Sequence, residues 1–182
     1  MKKILTLSLA LCFFLNAFPQ DYFQQQVDYT IHVTLDDEKH ELSAYEKIEY
    51  TNNSPDELTF IYFHLWPNAY RNNSTALAKQ KLYYSLKKMF EIEERRGYID
   101  SLDFKVNSKP VKMEYDEEHI DICRIILNEP LKSGETITIE TPFHVKIPKA
   151  VTSRLGHYKN SYQITQWYPK PAVYDKNGWH QM

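Results

Sequence analysis

The amino-acid sequence predicts an all-β protein, either an antiparallel β-sandwich or an open, curved antiparallel sheet, with a short helical insertion near residues 73–96. Short segments that alternate apolar and polar residues recur along most of the chain, which is typical of half-buried antiparallel strands. Turn-forming residues separate these segments, and no strand–helix–strand rhythm indicates a parallel sheet. We therefore expect about eight strands.

The first two alternating segments are Val27–Leu35 and Leu42–Tyr50. The polar residues between them, positions 36–39, are typical of a turn, so the pattern predicts an antiparallel hairpin. Glu46 is the exception in this pattern, because it occupies a position on the apolar side of the second segment.

The segment Leu58–Trp66 places apolar residues on both sides, which predicts a strand that is central or covered on both faces. In the following insertion, Asn73 or Ser74 can cap a helix. Apolar residues then recur at helical spacing, which predicts one broken helix or two short helices. These residues are Leu82, Leu86, Met89 and Phe90.

Strand patterns resume after the insertion. The predicted strands are Ile99–Val106, Val111–Tyr115, Ile120–Leu127 and Thr136–Val145. Glu129–Pro130 is typical of a turn, and Pro142 suggests that the last strand lies at an edge or bends. The range Pro148–Asn160 is predicted to be a long loop.

The first twenty residues predict a secretory signal peptide. Two lysines precede an apolar run, Ile4–Leu15, which is too short for a membrane-spanning helix. We expect cleavage between Ala17 and Asp21, export to the periplasm or the extracellular space, and one domain over residues 21–182. Loss of the two lysines changes the formal net charge from −2 to −4. This charge does not favour a nucleic-acid partner or an anionic membrane surface.

The cysteines and histidines do not form a recognisable catalytic or metal site. Cys123 is the only cysteine after residue 21, so no internal disulfide or thiolate cluster is expected, and its apolar surroundings predict a buried thiol. His40-Glu41 begins the zinc-binding pattern H-E-x-x-H, but Ala44 replaces the second histidine and the segment has a strand pattern. We predict no metal and no cofactor in this chain.

Residues 163–180 combine aromatic side chains with prolines. Because proline fixes the backbone and lacks a donor, this stretch is not an ordinary strand or helix interior. The pattern leaves two interpretations open: the wall of a pocket, or an aromatic cap over a β-core. The residues concerned are Trp167, Tyr168, Pro169, Pro171, Tyr174 and Trp179.

Several segments resemble the aminopeptidase N-like zinc metallopeptidases. The segments Tyr29–Val33 and Tyr45–Asn52 are similar to the opening strands of that family. The later segments resemble its secreted Bacteroidetes-type branch, and the similarity covers nearly all of residues 21–182. These later segments are Phe63–Tyr70, Arg96–Ile99, Thr165–Pro169 and Trp179–His180.

The resemblance implies a saddle-shaped N-terminal β-domain that packs on a thermolysin-like catalytic domain. The family's G-x-M-E-N and H-E-x-x-H motifs and its downstream zinc-binding glutamate are absent from these 182 residues. Zinc and hydrolysis would therefore belong to a catalytic domain elsewhere, in the same or a separate chain. This chain, a fragment of such an enzyme, is expected to bind no zinc and to catalyse nothing alone.

The resemblance also implies a substrate-binding role for Gln166, which matches a pocket glutamine of the family, together with Trp167 and Tyr168. Tyr168 stands where the family carries an acidic residue. An amide both donates and accepts, so Gln166 could orient the amino group or carbonyl of a peptide substrate, or could merely satisfy backbone groups. The alternative function is a stand-alone exported β-sandwich binding module, which an exposed apolar docking face would disfavour.

Overall fold

The alternating segments form two antiparallel sheets in the computed structural model, which describes residues 22–83, 90–149 and 154–182. The all-β prediction is confirmed. The predicted signal peptide over residues 1–20 lies outside the described residues, as do Leu86 and Met89 of the predicted helical pattern.

The described residues form fourteen strand segments, several of them only two or three residues long. In chain order these are β1 (Gln26–Asp36), β2 (Glu41–Thr51), β3 (Leu58–His64), β4 (Tyr98–Asp100), β5 (Lys105–Val106), β6 (Lys109–Pro110), β7 (Lys112–Tyr115), β8 (Ile122–Leu131), β9 (Thr136–Lys146), β10 (Leu155–Tyr158), β11 (Ser161–Ile164), β12 (Lys170–Pro171), β13 (Val173–Asp175) and β14 (Gly178–His180). The helical elements are α1 (Ala76–Tyr83) and two 3-10 helices, Trp66–Tyr70 and Glu93–Arg95.

The larger sheet has the order β1-β2-β9-β5-β6, with β4 also paired to β9, and the smaller sheet has the order β12-β3-β8-β7. Two small hairpins, β10–β11 and β13–β14, accompany them. The predicted hairpin of the first two segments is confirmed, since β1 and β2 pair without interruption. Asp36 closes its turn by accepting the backbone N–H groups of Glu38 and Lys39 at 3.1 and 2.9 Å.

The core lies between the inner faces of the two sheets. Phe63 of β3 meets Phe104 with a ring-centroid distance of 4.9 Å. Cys123 is fully buried, and its burial raises the pKa of the thiol to about 12, so the prediction of a buried thiol is confirmed. Fully buried aliphatic residues contributed by both sheets include Ile48, Ile61, Ile125, Ile139 and Val145.

Pro142 does not mark an edge strand, which corrects one of the two interpretations of that proline. Strand β9 is central, with β2 on one side and β4 and β5 on the other. On one side of β9, Pro142 lies opposite Tyr45 of β2. On the other side, β9 pairs first with β5 and then with β4, and Pro142 falls in the gap between these two partners. Proline is tolerated in this central strand because no ladder partner stands beside it in that gap.

The same gap explains why the single strand predicted over Ile99–Val106 is wrong. The chain leaves the sheet between β4 and β5, and Ser101 adopts a left-handed conformation with φ 59°. The backbone N–H of Asp103 donates to Thr141 Oγ1 at 3.0 Å, so a side chain replaces a ladder bond at this point.

Three further local predictions are corrected. Glu129–Pro130 is not a turn, because β8 continues to Leu131, which lies opposite Leu58 after a register irregularity. The predicted loop Pro148–Asn160 contains β10, although residues 150–153 lie outside the described part. Thr75 caps α1 instead of Asn73 or Ser74, since its Oγ1 accepts the N–H of Ala78 at 3.2 Å.

The prediction of a central strand over Leu58–Trp66 is confirmed for β3, which ends at His64. It lies between β8 and β12, and its outer face carries Phe60 and Tyr62. Trp179 of β14 covers both rings, with centroid distances of 6.1 and 5.9 Å. The aromatic residues near the C-terminus therefore act in part as a cap over the smaller sheet.

Truncation of Ile139 should destabilise the fold strongly. The side chain is fully buried on the central strand, so Ile139→Ala is expected to lower the free energy of unfolding by about 2–5 kcal/mol. The matched control is Val33→Ala on the edge strand, where the side chain is 48% exposed, with an expected loss below about 1 kcal/mol. Urea denaturation measures both values, and equal losses would contradict this placement of the core.

Candidate functional site

The candidate site is the segment Thr165–Tyr168, which follows the β10–β11 hairpin. Its start is fixed twice to the other end of the hairpin: the backbone N–H and the hydroxyl of Thr165 both donate to the carbonyl oxygen of Arg154, at 3.1 and 2.6 Å. The segment therefore leaves the hairpin from a defined position and moves with it.

Gln166 is held in an unusual backbone conformation at the surface. Its φ is 55°, a left-handed value that costs a residue with a Cβ atom about 1 kcal/mol or more. The side chain is exposed, and in the described part of the chain its amide makes no hydrogen bond to a backbone group. Both its donor and its acceptor are therefore available to a ligand.

Trp167 and Tyr168 are anchored on the inner face of the larger sheet. Trp167 packs on Phe143 of β9 with a centroid distance of 5.8 Å, and Tyr168 meets Tyr29 of β1 edge-on at 5.4 Å. The two rings also contact each other at 5.5 Å and 78°. We call the rings of Tyr29, Phe143, Trp167 and Tyr168 the aromatic wall. Gln166 precedes this wall directly in the chain.

Glu46 lies between the two anchoring points of the wall. In the sheet register Glu46 stands opposite Thr141. Two residues before it on β2, Ala44 pairs with Phe143, and two residues after it, Ile48 pairs with Tyr29. The side chain of Glu46 is fully buried, and neither carboxyl oxygen has a hydrogen-bond partner among the residues that the structure describes. The exceptional apolar-side position predicted for Glu46 is confirmed.

Burial controls the charge of this region. Removal from water raises the pKa of Glu46 from its ordinary value of 4.5 to about 9, so the carboxyl group is neutral near pH 7. Burial also raises the pKa of Tyr29, with smaller contributions from Tyr168 and Glu46. The hydroxyl of Tyr50 is likewise buried, with no hydrogen-bond partner in the described ranges. The aromatic wall therefore rests on an uncharged surface.

The other residues singled out in the sequence do not join this site. His40 lies in the turn before β2, so it does not belong to a helical zinc motif. The described residues contain no group of three or more His, Cys, Asp or Glu side chains placed to hold a metal ion. Among the described helices, none is long and apolar enough to cross a membrane.

The structure brings together Gln166, Trp167 and Tyr168, and adds residues that the sequence did not indicate as site residues. Tyr29 and Phe143 belong to strands distant in sequence, and their apolar-side positions predicted burial alone. Glu46 gave a signal, because a carboxyl group on an apolar strand face is unusual, but the sequence did not show which segment covers it.

Comparisons with known protein families and with curated proteins found no match to this chain. The family resemblance stays a prediction from the residues. Because one fold hosts many functions, the functional argument depends on the geometry of the site.

Replacement of Glu46 should change how stability depends on pH. The folded chain keeps the proton up to about pH 9, whereas the unfolded chain releases it near 4.5, so the unfolded state binds fewer protons between these values. The free energy of unfolding should therefore fall as pH rises through this window, by up to about 1.4 kcal/mol per pH unit. Glu46→Gln should remove that fall, as measured by urea denaturation between pH 5 and pH 8.

Glu49→Gln is the matched control, because Glu49 lies on the same strand with its pKa lowered, first by a hydrogen bond from Lys47 and then by one from Thr138. The contribution of Glu49 to stability is lost only as pH falls below its ordinary value, outside this window. An unchanged slope in Glu46→Gln would show that Glu46 does not titrate as its burial requires.

Proposed function

We propose that this chain is the N-terminal β-domain of a secreted zinc aminopeptidase-like metallopeptidase, which lines part of the substrate pocket and packs against a catalytic domain. The observation that carries the proposal is the exposed Gln166 amide, held in a left-handed conformation beside the aromatic wall. The resemblance in sequence supplies the family, and the arrangement of the site is compatible with it.

A peptide substrate would use two features of this site. The Gln166 amide can accept a hydrogen bond from the amino group of a peptide and can donate one to its carbonyl oxygen. The half-buried faces of Trp167 and Tyr168 can contact the first side chain of the peptide.

Tyr168 changes how an amino terminus would be recognised. Because this residue is uncharged where the resemblance leads us to expect a carboxylate, an ammonium group would meet only ring faces and hydroxyl or amide dipoles. Cation–π contact at exposed sites contributes about 0.5–1 kcal/mol, which predicts weak selection for a free amino terminus.

The surface next to the wall is suited to packing against another domain. Val33 and Leu35 follow Tyr29 on the same face of β1, and they are 48% and 42% exposed. Val173, in the C-terminal hairpin, is 62% exposed. A catalytic domain docked here would bury apolar surface, and it would bring the zinc ion that activates water in such enzymes.

The second candidate function is a stand-alone exported binding module. It is favoured by the complete core between the two sheets, where Ile61, Ile125 and Ile139 are fully buried without a second chain. The genomic sequence that follows codon 182 discriminates between the candidates. An H-E-x-x-H motif there supports the domain, and its absence supports the module.

Gln166 should contribute to peptide binding. We expect Gln166→Ala to weaken binding of a short free-amino peptide about fivefold, the effect of losing one hydrogen bond of about 1 kcal/mol. Titration of the isotopically labelled chain, followed by NMR chemical shifts, measures this loss. Gln163→Ala is the control, since Gln163 is an exposed glutamine on the adjoining strand β11.

Equal binding by both glutamine variants and the unchanged chain would contradict a role for Gln166. An N-acetylated peptide of the same sequence measures the contribution of the free amino group, which we expect to be small.

The purified chain alone should not hydrolyse aminoacyl-anilide substrates, with or without added zinc. The proposed function assigns the zinc ligands and the general base to a separate catalytic domain. Release of the anilide chromophore measures turnover, and metal-dependent turnover that a chelator abolishes would overturn this assignment.

A further inference from the structure

Two histidines are stacked where the β10–β11 hairpin meets the larger sheet. The rings of His40, in the turn before β2, and His157, on β10, lie 3.6 Å apart between centroids with an angle of 19°. The backbone N–H of His157 donates to the carbonyl oxygen of Pro148 at 3.0 Å. The stacked pair therefore lies at a point where the hairpin is held against the end of β9.

The two Nδ1 atoms of the pair differ in their surroundings. His40 Nδ1 lies 2.7 Å from the hydroxyl of Tyr162, and that hydroxyl donates to the carbonyl oxygen of Asp37 at 3.3 Å. While that hydroxyl donates to Asp37, His40 Nδ1 is the donor to Tyr162. His157 Nδ1 is buried and has no partner in the described part of the chain.

The charged groups around the pair form a cleft of about 410 Å3. Lys146 is bonded to Glu41 at 3.2 Å, and Lys149 is bonded to Glu94 at 2.8 Å. The charged residues facing the pair in this cleft are Glu38, Lys39, Glu41, Glu94, Lys146 and Lys149. No salt bridge joins either stacked histidine to a carboxylate among these described residues.

We propose that the stacked pair of His40 and His157 is an acid-sensitive latch, which holds the β10–β11 hairpin on the sheet when it is uncharged and releases the hairpin when His157 takes up a proton. A charge on His157 would face a second imidazole and two lysines, and the nearby carboxylate of Glu94, which interacts with His157 electrostatically, is already paired with Lys149. Opening of the hairpin exposes the ring to water and removes this penalty.

The surroundings of His157 in the closed hairpin lower its pKa, as the latch requires. Burial lowers the pKa of His157. The neighbouring His40, Lys146 and Lys149 lower this pKa further, and a hydrogen bond involving the backbone of Lys159 partly opposes these effects. The closed hairpin therefore binds a proton less readily than the open one, in which His157 has its ordinary value of 6.5. Opening becomes more favourable as pH falls below 6.5, by up to about tenfold per pH unit.

The latch also affects the candidate site. This effect on peptide binding rests on the proposed function, whereas the latch itself does not. Strand β11 leads directly into Thr165, whose two bonds to Arg154 join the ends of the hairpin. Release of the hairpin would displace Gln166 from the aromatic wall, so acid would weaken peptide binding.

Native-state hydrogen exchange by NMR tests the latch without any substrate. The reporter is the amide of His157, which bonds to Pro148 outside the hairpin, and the amides between β2 and β9 serve as the internal reference. After correction for intrinsic exchange rates, we expect protection of this reporter to fall about tenfold from pH 7.5 to pH 5.5.

Two variants complete the test. His157→Gln should make the protection of the backbone amide at position 157 independent of pH, while His32→Gln, at an exposed position on β1, should behave as the unchanged chain. His157→Gln could leave the hairpin unprotected at both pH values because the variant does not form it. In that case the imidazole proton signals of His157 in the unchanged chain test the latch, since they must titrate together with the loss of protection. Constant protection in the unchanged chain, or the same loss in His157→Gln, would overturn the latch and leave the proposed function untouched.

Discussion

The eleven-residue pairing between β2 and β9 is the constraint on which the rest of the structure depends. Because side chains alternate across a strand, this register places Ile48 and Ile139 together in the core. A slip of one residue between the two strands would place these two side chains on opposite faces of the sheet. The same register sets Glu46 against Thr141, so an efficient core and a buried carboxyl group are consequences of one arrangement.

The buried carboxyl group shapes the site because it is uncharged. A buried ion needs a partner, and Glu46 has none within the described part of the chain, so the group stays protonated near pH 7 and behaves as a neutral polar side chain. Aromatic rings can then pack beside it, and the wall is anchored at Phe143 and Tyr29, on either side of Glu46 in the sheet register. A basic residue in the wall would draw Glu46 into an ion pair and replace an uncharged surface with a charged one.

The sequence predicts those features that depend on local alternation. The β1–β2 hairpin, the central position of β3 and the buried thiol of Cys123 follow from residues near in sequence. The interpretation of Pro142 as an edge residue is wrong because a proline needs only one missing ladder partner, which the gap between β4 and β5 provides. Similarly, the contact of Tyr168 with Tyr29 joins residues far apart in the chain, and no local pattern encodes it.

The segment that carries Gln166 is thus held at two places by groups that must both be uncharged. At one place, His157 stacks on His40 and is neutral above its ordinary pKa of 6.5. At the other, the aromatic wall is anchored on either side of Glu46, which is neutral when buried near pH 7 and ionises near 4.5 once it is exposed to water. Opening of the hairpin therefore becomes more favourable as pH falls below 6.5, whereas exposure of Glu46 becomes more favourable as pH rises above 4.5. The two groups act in opposite directions, so the position of Gln166 is defined best near pH 6.5, where the hairpin is still closed and exposure of Glu46 is less favourable than at higher pH.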